Sequence, residues 1–181
     1  MIDEVEIIKR CIRKDRKAQE FLFEKYASVL LGVCRRYSTD LSEAEDMLQE
    51  GFVKIFMNLK SFAEKGKLIN WMKRIMVNTA ITWYHKNTKH RYHYDIDDQK
   101  VGAGLMEDNP ETDFTRDELL EVIDGLPSGY KMVFNLYAIE GYKHKEIASL
   151  LEIDINTSKS QYSRAKKIIR EHLIEISKRF D

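Results

Sequence analysis

Apolar residues recur along the first half of the chain at the spacing of amphipathic α-helices. The apolar positions of the first two predicted helices are Val5, Ile8, Ile12, Phe21, Leu22, Tyr26, Val29, Leu30 and Val33. A third helix is predicted to begin at Ser42, an N-cap with Glu45 three residues later as in a capping box. Its apolar stripe is Ala44, Met47, Leu48, Phe52, Ile55, Phe56 and Leu59. A loop from Ala63 to Leu68 and a fourth helix from about Ile69 to Lys86 complete a predicted helical bundle.

The periodicity is lost from roughly Thr88 to Thr115, a stretch rich in acids that is predicted to be a flexible linker. Beyond it, the predicted helices are one from Glu118 to Leu126 and then Tyr130–Glu140, Lys143–Leu151 and Asn156–Phe180. The chain has only 8 Gly and 2 Pro in 181 residues, which favours helices over many short strands. The predicted fold class is therefore all-α, with helical domains at 1–94 and 117–181 joined by an acidic linker at 95–116.

The formal net charge of zero conceals blocks of opposite sign. Residues 65–94 hold seven Lys or Arg and no acid, whereas residues 95–121 hold ten acids against two bases. Residues 155–170 hold five Lys or Arg and again no acid. Two basic surfaces suited to nucleic acid are therefore predicted, one in each domain.

The two cysteines, Cys11 and Cys34, stand among apolar neighbours and form no CxxC pair, so both are predicted to be buried, reduced thiols. No apolar run approaches the ~20 residues of a membrane span. The N-terminus begins with acids and lacks the apolar core of a signal peptide. We predict a cytoplasmic protein, with no cofactor or bound metal expected.

Two short helices around residues 145–170 have the spacing of a helix-turn-helix. Ile147, Ala148 and Leu151 point inward on the first helix, and Glu152–Asp154 makes the turn. The second helix would enter the major groove, where Arg, Lys and Gln side chains can contact base edges or phosphates. A lysine-rich face that is simply solvated is the competing interpretation. The predicted DNA-binding residues of this domain are Lys143, Lys145, Thr157, Ser158, Lys159, Ser160, Gln161, Ser163, Arg164 and Lys167.

Several motifs, in order, resemble those of bacterial sigma factors. The segment Ala44-Glu45-Asp46-Met47-Leu48-Gln49-Glu50-Gly51-Phe52 resembles their polymerase-binding helix. The run from Phe62 through Trp71 to Val77-Asn78-Thr79-Ala80 is similar to the part that melts and reads the downstream promoter element. Their C-terminal domain is resembled by Leu126-Pro127, Glu140-Gly141-Tyr142, Lys145-Glu146-Ile147-Ala148, Thr157-Ser158-Lys159-Ser160 and Arg164-Ala165. Together they are similar to the extracytoplasmic-function (ECF) subfamily, which keeps only these two domains.

The resemblance implies roles and partners for these residues. An acidic face on the third helix, formed by Glu43, Asp46, Gln49 and Glu50, is expected to bind core RNA polymerase through charge-assisted bonds. The melted non-template strand of promoter DNA is expected to be gripped by Lys65, Lys67, Asn70, Lys73, Arg74, Asn78, Lys86, Lys89 and Arg91. The upstream element is expected to be read as duplex DNA by the C-terminal domain. An anti-sigma factor is expected as a further partner, and no catalytic residue is implied.

Three alternatives remain open at this point. A helix-turn-helix regulator that binds duplex DNA without polymerase would explain the C-terminal half but not the acidic face. An all-helical enzyme could use Asp46 and Glu50, four residues apart, as metal ligands, but no HExxH or ExxH pair accompanies them. A helical adaptor could use the acidic face for protein contact alone. Trp71 is predicted to lie in the core, whereas Trp83 is as well suited to stacking on a base as to the core.

Overall fold

The computed structural model describes residues 4–62, 66–91 and 114–178. The chain divides into two compact units, Met1–His90 and Arg91–Asp181. Within the described residues both units are helical and contain no strand, so the predicted fold class is confirmed. Most of the predicted linker, including its acidic residues 95–113, lies outside the described residues.

In its described residues, the first unit is built from four helices: α1 (Glu4–Ile12), α2 (Arg16–Arg35), α3 (Leu41–Asn58) and α4 (Leu68–Arg91). A single 3-10 turn, Leu59–Ser61, follows α3. The α1 helix is held against α2 by Glu4, which accepts hydrogen bonds from Lys25 Nζ at 3.1 Å and from Tyr26 Oη.

The core of the first unit lies between α2, α3 and α4. Its largest fully buried side chains are Leu22, Leu30, Met47, Ile55, Leu59, Leu68, Met72 and Met76. Burying one such side chain contributes about 1.5–3 kcal/mol. The predicted apolar stripe of α3 is confirmed, with only Phe56 left half-buried. Phe21 and Val29 were predicted on the buried side of α2 and are 40% and 51% exposed. That prediction was wrong because Leu22 and Leu30, each about 100° further round the helix, take the core positions.

The start of α3 differs from the sequence prediction. The N-cap is Asp40 and not Ser42, because Asp40 Oδ1 accepts the Glu43 N–H at 2.8 Å. Glu43 in turn accepts from the backbone N–H and the hydroxyl of Thr39, at 2.6 and 2.8 Å. Both Asp and Ser are good capping residues. The Asp40–Glu43 pair satisfies more donors than Ser42 with Glu45 would, which places the helix start two residues earlier.

The second unit consists of α5 (Arg116–Asp124), α6 (Ser128–Phe134), α7 (His144–Leu151) and α8 (Ile155–Ser177). A capping box between Thr115 and Glu118 starts α5, so the last residue of the predicted linker already belongs to the helix. Pro127 is the N-cap of α6, and Ser128 is its first residue. The predicted helix Tyr130–Glu140 is α6 followed by a π-helical turn, Asn135–Ile139. The buried core residues are Val122, Leu126, Met132, Val133, Leu136, Ile147, Ala148, Leu151 and Ala165.

Candidate functional site

The acidic face predicted on α3 has two kinds of residue. Asp46 and Gln49 are exposed, whereas Glu43 and Glu50 are partly buried. The Glu50 carboxylate accepts a hydrogen bond from Trp83 Nε1 at 2.7 Å and pairs with Lys54 Nζ at 2.8 Å. The hydrogen bond from Lys54, followed by that from Trp83, lowers the pKa of Glu50. Only half of the predicted face is therefore free to meet another protein.

Two apolar residues extend the exposed side of α3 beyond Gln49. Val53 is 57% exposed and Met57 is 77% exposed. With Gln49 they follow a four-residue spacing, which makes them neighbours on successive turns. The sequence prediction missed Val53 and Met57 because it considered only the polar residues on the exposed side of α3. The same four-residue spacing could have found them. The exposed side of α3 thus passes from the polar Asp46 and Gln49 to the apolar Val53 and Met57.

The outer side of α4 carries a stripe without acids. The α4 stripe consists of exposed residues at four-residue intervals: Asn70, Arg74, Asn78, Thr82 and Lys86. Lys67 is exposed just before the helix, and Lys73 is partly buried beside the stripe. The structure thus brings together six of the nine residues predicted to bind the melted strand, and Thr82 adds a hydroxyl. Lys65 lies outside the described residues, as do the side chains of Lys89 and Arg91.

The two tryptophans have defined places in the first unit. Trp71, predicted to lie in the core, is half-buried at its edge, with its ring 5.6 Å from that of Phe62. Trp83 is also half-buried and gives its indole N–H to Glu50. The sequence left Trp83 open between base stacking and the core, and the structure shows it bonded within the protein.

In the second unit, α7 and α8 form the predicted helix-turn-helix. Glu152, with a left-handed φ of 56°, ends α7, and Asp154 caps α8 by accepting the Asn156 N–H at 2.7 Å. Ile147, Ala148 and Leu151 are buried as predicted. The predicted DNA-binding residues that the structure leaves exposed are Lys143, Lys145, Lys159, Ser160, Ser163 and Lys167. Thr157 is partly buried at the start of α8.

Three of the predicted DNA-binding residues of α8 are buried or half-buried. Ser158, predicted to bind DNA at the start of α8, is fully buried, with Oγ 3.0 Å from His144 Nδ1. Arg164 donates to the Tyr130 hydroxyl at 3.2 Å. Gln161 is half-buried, and its Oε1 has no hydrogen-bond partner within the described part of the chain. Ser158 lies on the inner side because α8 packs its first turn against the start of α7.

His144 connects α7 to α8. Its ring stacks on Tyr137 at 4.3 Å between centroids and meets Tyr162 of α8 edge-on at 5.8 Å. Burial, followed by the positive charge of Lys159, lowers the pKa of His144. A neutral imidazole therefore fixes the first turn of α8, next to the exposed residues that would face DNA.

The described residues also bear on other kinds of site. They contain no group of three or more His, Cys, Asp or Glu placed to hold a metal ion. None of the helices described is both long and apolar enough to cross a membrane. Both cysteines are free and buried, as predicted.

Comparison with known proteins agrees with this arrangement. The family model for sigma-70 region 2 matches residues 22–90, and that for sigma-70, region 4 matches residues 116–169. The chain is 27% identical over 177 residues to the ECF RNA polymerase sigma-E factor of Haemophilus influenzae, covering 92% of this chain and 93% of that protein. It is 28% identical over 180 residues to the RNA polymerase sigma-H factor of Pseudomonas aeruginosa, covering 93% and 92%.

A solved structure shares the fold. It is the sigma factor RpoE in complex with the anti-sigma factor NepR from Bartonella quintana. The TM-score is 0.50 at 18% identity, over 85% of this chain and 95% of that one.

Two sigma regions in this order, on two helical units, define a bacterial transcription initiation factor. The chain belongs to the sigma-70 family of RNA polymerase sigma factors, in its ECF group. It accordingly binds core RNA polymerase and promoter DNA and directs transcription initiation. Sigma factors are regulatory rather than catalytic proteins. The helix-turn-helix regulator without polymerase is not favoured.

Proposed function

We propose that three surfaces divide the work of this sigma factor, and that the first of them, on α3, binds core polymerase through Asp46 and Gln49. The observation that carries the proposal is the pairing, within one unit, of this exposed acidic position with the acid-free α4 stripe. Asp46 offers a carboxylate to a basic partner surface, and the amide of Gln49 both donates and accepts. Val53 and Met57 supply the apolar area that a stable interface also needs.

The second surface is the α4 stripe, which we assign to the melted non-template strand. A basic groove and neutral donors hold a single-stranded backbone without requiring base pairs. Lys67, Arg74 and Lys86 supply the charge. The amides of Asn70 and Asn78 can bond base edges or sugars. Capturing unstacked bases here would offset the few kcal/mol needed to open the duplex.

The third surface is the exposed side of α8, which we assign to the upstream element as duplex DNA. Lys159, Ser160, Ser163 and Lys167 face outward from a helix that carries no acid before Glu171. Lys167 lies 3.8 Å from Glu171, a weak exposed pair that can be exchanged for a phosphate. Gln161 and Arg164 would need to turn outward to reach base edges.

The remaining assignments follow from the family. We keep the predicted domains at 1–94 and 117–181, joined by the acidic linker at 95–116, whose last residue, Arg116, already lies in α5. The protein works in the cytoplasm, where polymerase is, and catalyses no reaction itself. An anti-sigma factor, of the kind seen with the Bartonella protein, would inhibit this chain by covering the α3 surface.

The test is transcription from a genomic DNA library by core polymerase with the purified chain. Transcripts that start downstream of one shared two-part motif are expected. Asp46→Lys should weaken core binding at least about tenfold, or about 1.4 kcal/mol, because it sets like charges against each other. Glu45→Lys is the matched control, since it makes the same charge change at an exposed neighbouring position about 100° away.

The outcomes separate the alternatives. Equal loss of core binding in both variants would refute the assignment to Asp46 and leave only a general charge effect. Duplex DNA binding without polymerase binding would leave an ordinary helix-turn-helix regulator. Polymerase binding without DNA binding would leave an adaptor.

A further inference from the structure

Residues 82–88, towards the C-terminal end of α4, lack the apolar burial that holds residues 68–81. Met72, Met76, Val77, Ala80 and Ile81 are all buried. From residue 82 to residue 88, every side chain is exposed or only partly buried. A helical segment with no buried apolar stripe has little to hold it, because propensity alone leaves short helices marginal in water. Something other than the core must order this segment of the helix.

Polar contacts from α3 meet this segment at two successive turns. Glu50 accepts the Trp83 indole N–H at 2.7 Å, and Glu43 accepts from Asn87 Nδ2 at 2.9 Å. Glu43 and Glu50 are seven residues apart on α3, and their partners are four apart on α4, so both pairs lie along one line of contact. We call these four residues the polar seam.

Other bonds hold both carboxylates in place. Glu50 is paired with Lys54 at 2.8 Å, and Lys54 also donates to the buried Thr79 hydroxyl at 3.2 Å. Glu43 is fixed by the two hydrogen bonds from Thr39. A carboxylate already oriented loses little side-chain entropy when it accepts one more bond. The seam is therefore anchored on the α3 side and can determine where α4 lies.

We infer that Glu43 and Glu50 are positioning residues that hold residues 82–88 of α4 in place for the melted strand. The residue so positioned is Lys86, whose Nζ is 4.0 Å from the nearer Glu50 oxygen and which remains largely exposed. Glu43 and Glu50, half of the predicted acidic face, thus position α4 instead of contacting another protein. This inference rests on the proposed function only for the identity of the bound strand.

Hydrogen exchange tests the positioning without any partner. In the full chain, Glu43→Ala combined with Glu50→Ala should speed exchange of the amides of residues 84–88 at least about tenfold, because local opening sets that rate. The amides of residues 72–81 should change much less. Glu43→Gln with Glu50→Gln keeps an acceptor oxygen at each position and should restore most of the protection. Glu45→Ala is the matched control on the same helix. Unchanged exchange at 84–88, or an equal rise throughout α4, would overturn the inference.

A second measurement tests the consequence for DNA. Holoenzyme formed at saturating core polymerase is titrated with a fluorescent, random-sequence single-stranded DNA pool. The double Ala variant should bind the strand at least about tenfold more weakly, or about 1.4 kcal/mol. Adding Lys86→Ala should weaken strand binding less in this variant than in the parent, because both changes act on the same segment of α4. If the losses of strand binding simply add, the link between the polar seam and Lys86 is refuted. If the parent holoenzyme binds no strand while exchange responds as expected, the strand assignment fails and the seam stands.

Discussion

Gly51 lies where α3 and α4 cross, and replacing it with Ala tests how tightly they pack. The position is buried, and a Cβ atom there would lie 2.2 Å from Met76 Sδ and 2.7 Å from Met76 Cε. Ordinary contacts between such atoms are near 3.5–4.0 Å. Methionine is flexible enough to turn aside. Met76, however, is fully buried, and its sulfur lies 3.8 Å from Cys34 Sγ, so it has little space to move into.

The expected magnitude is a balance of two opposed effects. Replacing a Gly by Ala inside a helix stabilises the helix by about 1 kcal/mol. Forcing an extra carbon into a packed core costs about 1–3 kcal/mol. Taking the middle of that range, Gly51→Ala should lower the free energy of unfolding of the first unit by about 1 kcal/mol. In a Met76→Ala background, which itself costs about 2–5 kcal/mol, the cavity accepts the new methyl group. There the same change should stabilise by up to about 1 kcal/mol.

Urea unfolding followed by tryptophan fluorescence measures this in the full chain. Both tryptophans, Trp71 and Trp83, lie in α4, so the signal reports the first unit alone. The four variants of the cycle give a coupling energy between positions 51 and 76, expected to be about 2 kcal/mol. A rise in stability on Gly51→Ala in the parent would refute the reasoning. So would an equal effect in both backgrounds.

Three further predictions concern buried polar and thiol groups. Ser158→Ala should destabilise the second unit by about 1–3 kcal/mol, measured by exchange of the α8 amides, because it leaves the half-buried His144 ring without its partner. Since the folded pKa of His144 is lowered, its contribution to stability is present above the unfolded value of about 6.5 and is lost as the pH falls through the folded value. The thermal midpoint of the parent should therefore fall more steeply than that of His144→Gln on acidification below about pH 6.5, and parallel curves would contradict this. Burial raises the pKa of Cys11 to about 11 and that of Cys34 to about 12, so a thiol reagent at pH 8 should label both only as fast as the chain unfolds.

Helix type and the buried faces were predictable because they depend on local period. The α3 stripe was correct at every position except Phe56, which is half-buried. Helix ends were less predictable where two capping residues compete, as Asp40 and Ser42 do. The π-helical turn at Asn135–Ile139 was not predicted, since its bonds differ from those of an α-helix by one residue and leave no period in the sequence.

The side-chain partners within the site could not be predicted for a different reason. Ser158 lies four residues before Tyr162 and seven before Ala165, so helical spacing puts it on the inner side of α8. Nothing local, however, places its hydroxyl against His144, fourteen residues earlier. Local spacing says which side of a helix a residue occupies. It does not say whether another element covers that side.

The acidic face of α3 shows the same limit of sequence-based prediction, at residues that bear on function. Glu43, Asp46, Gln49 and Glu50 fall within an arc of about 120° on α3, and all four are polar. What separates them is α4: Trp83 reaches Glu50 across 33 residues and Asn87 reaches Glu43 across 44, while Asp46 and Gln49 remain exposed. Glu50 already accepts a hydrogen bond from the Trp83 indole and pairs with Lys54. It would have to give up both contacts to bind another protein, which lowers its net contribution to the binding free energy. Asp46 and Gln49, which are exposed, would lose only their hydrogen bonds to water. One helix can therefore offer Asp46 and Gln49 to polymerase and use Glu43 and Glu50 to hold the helix that meets DNA.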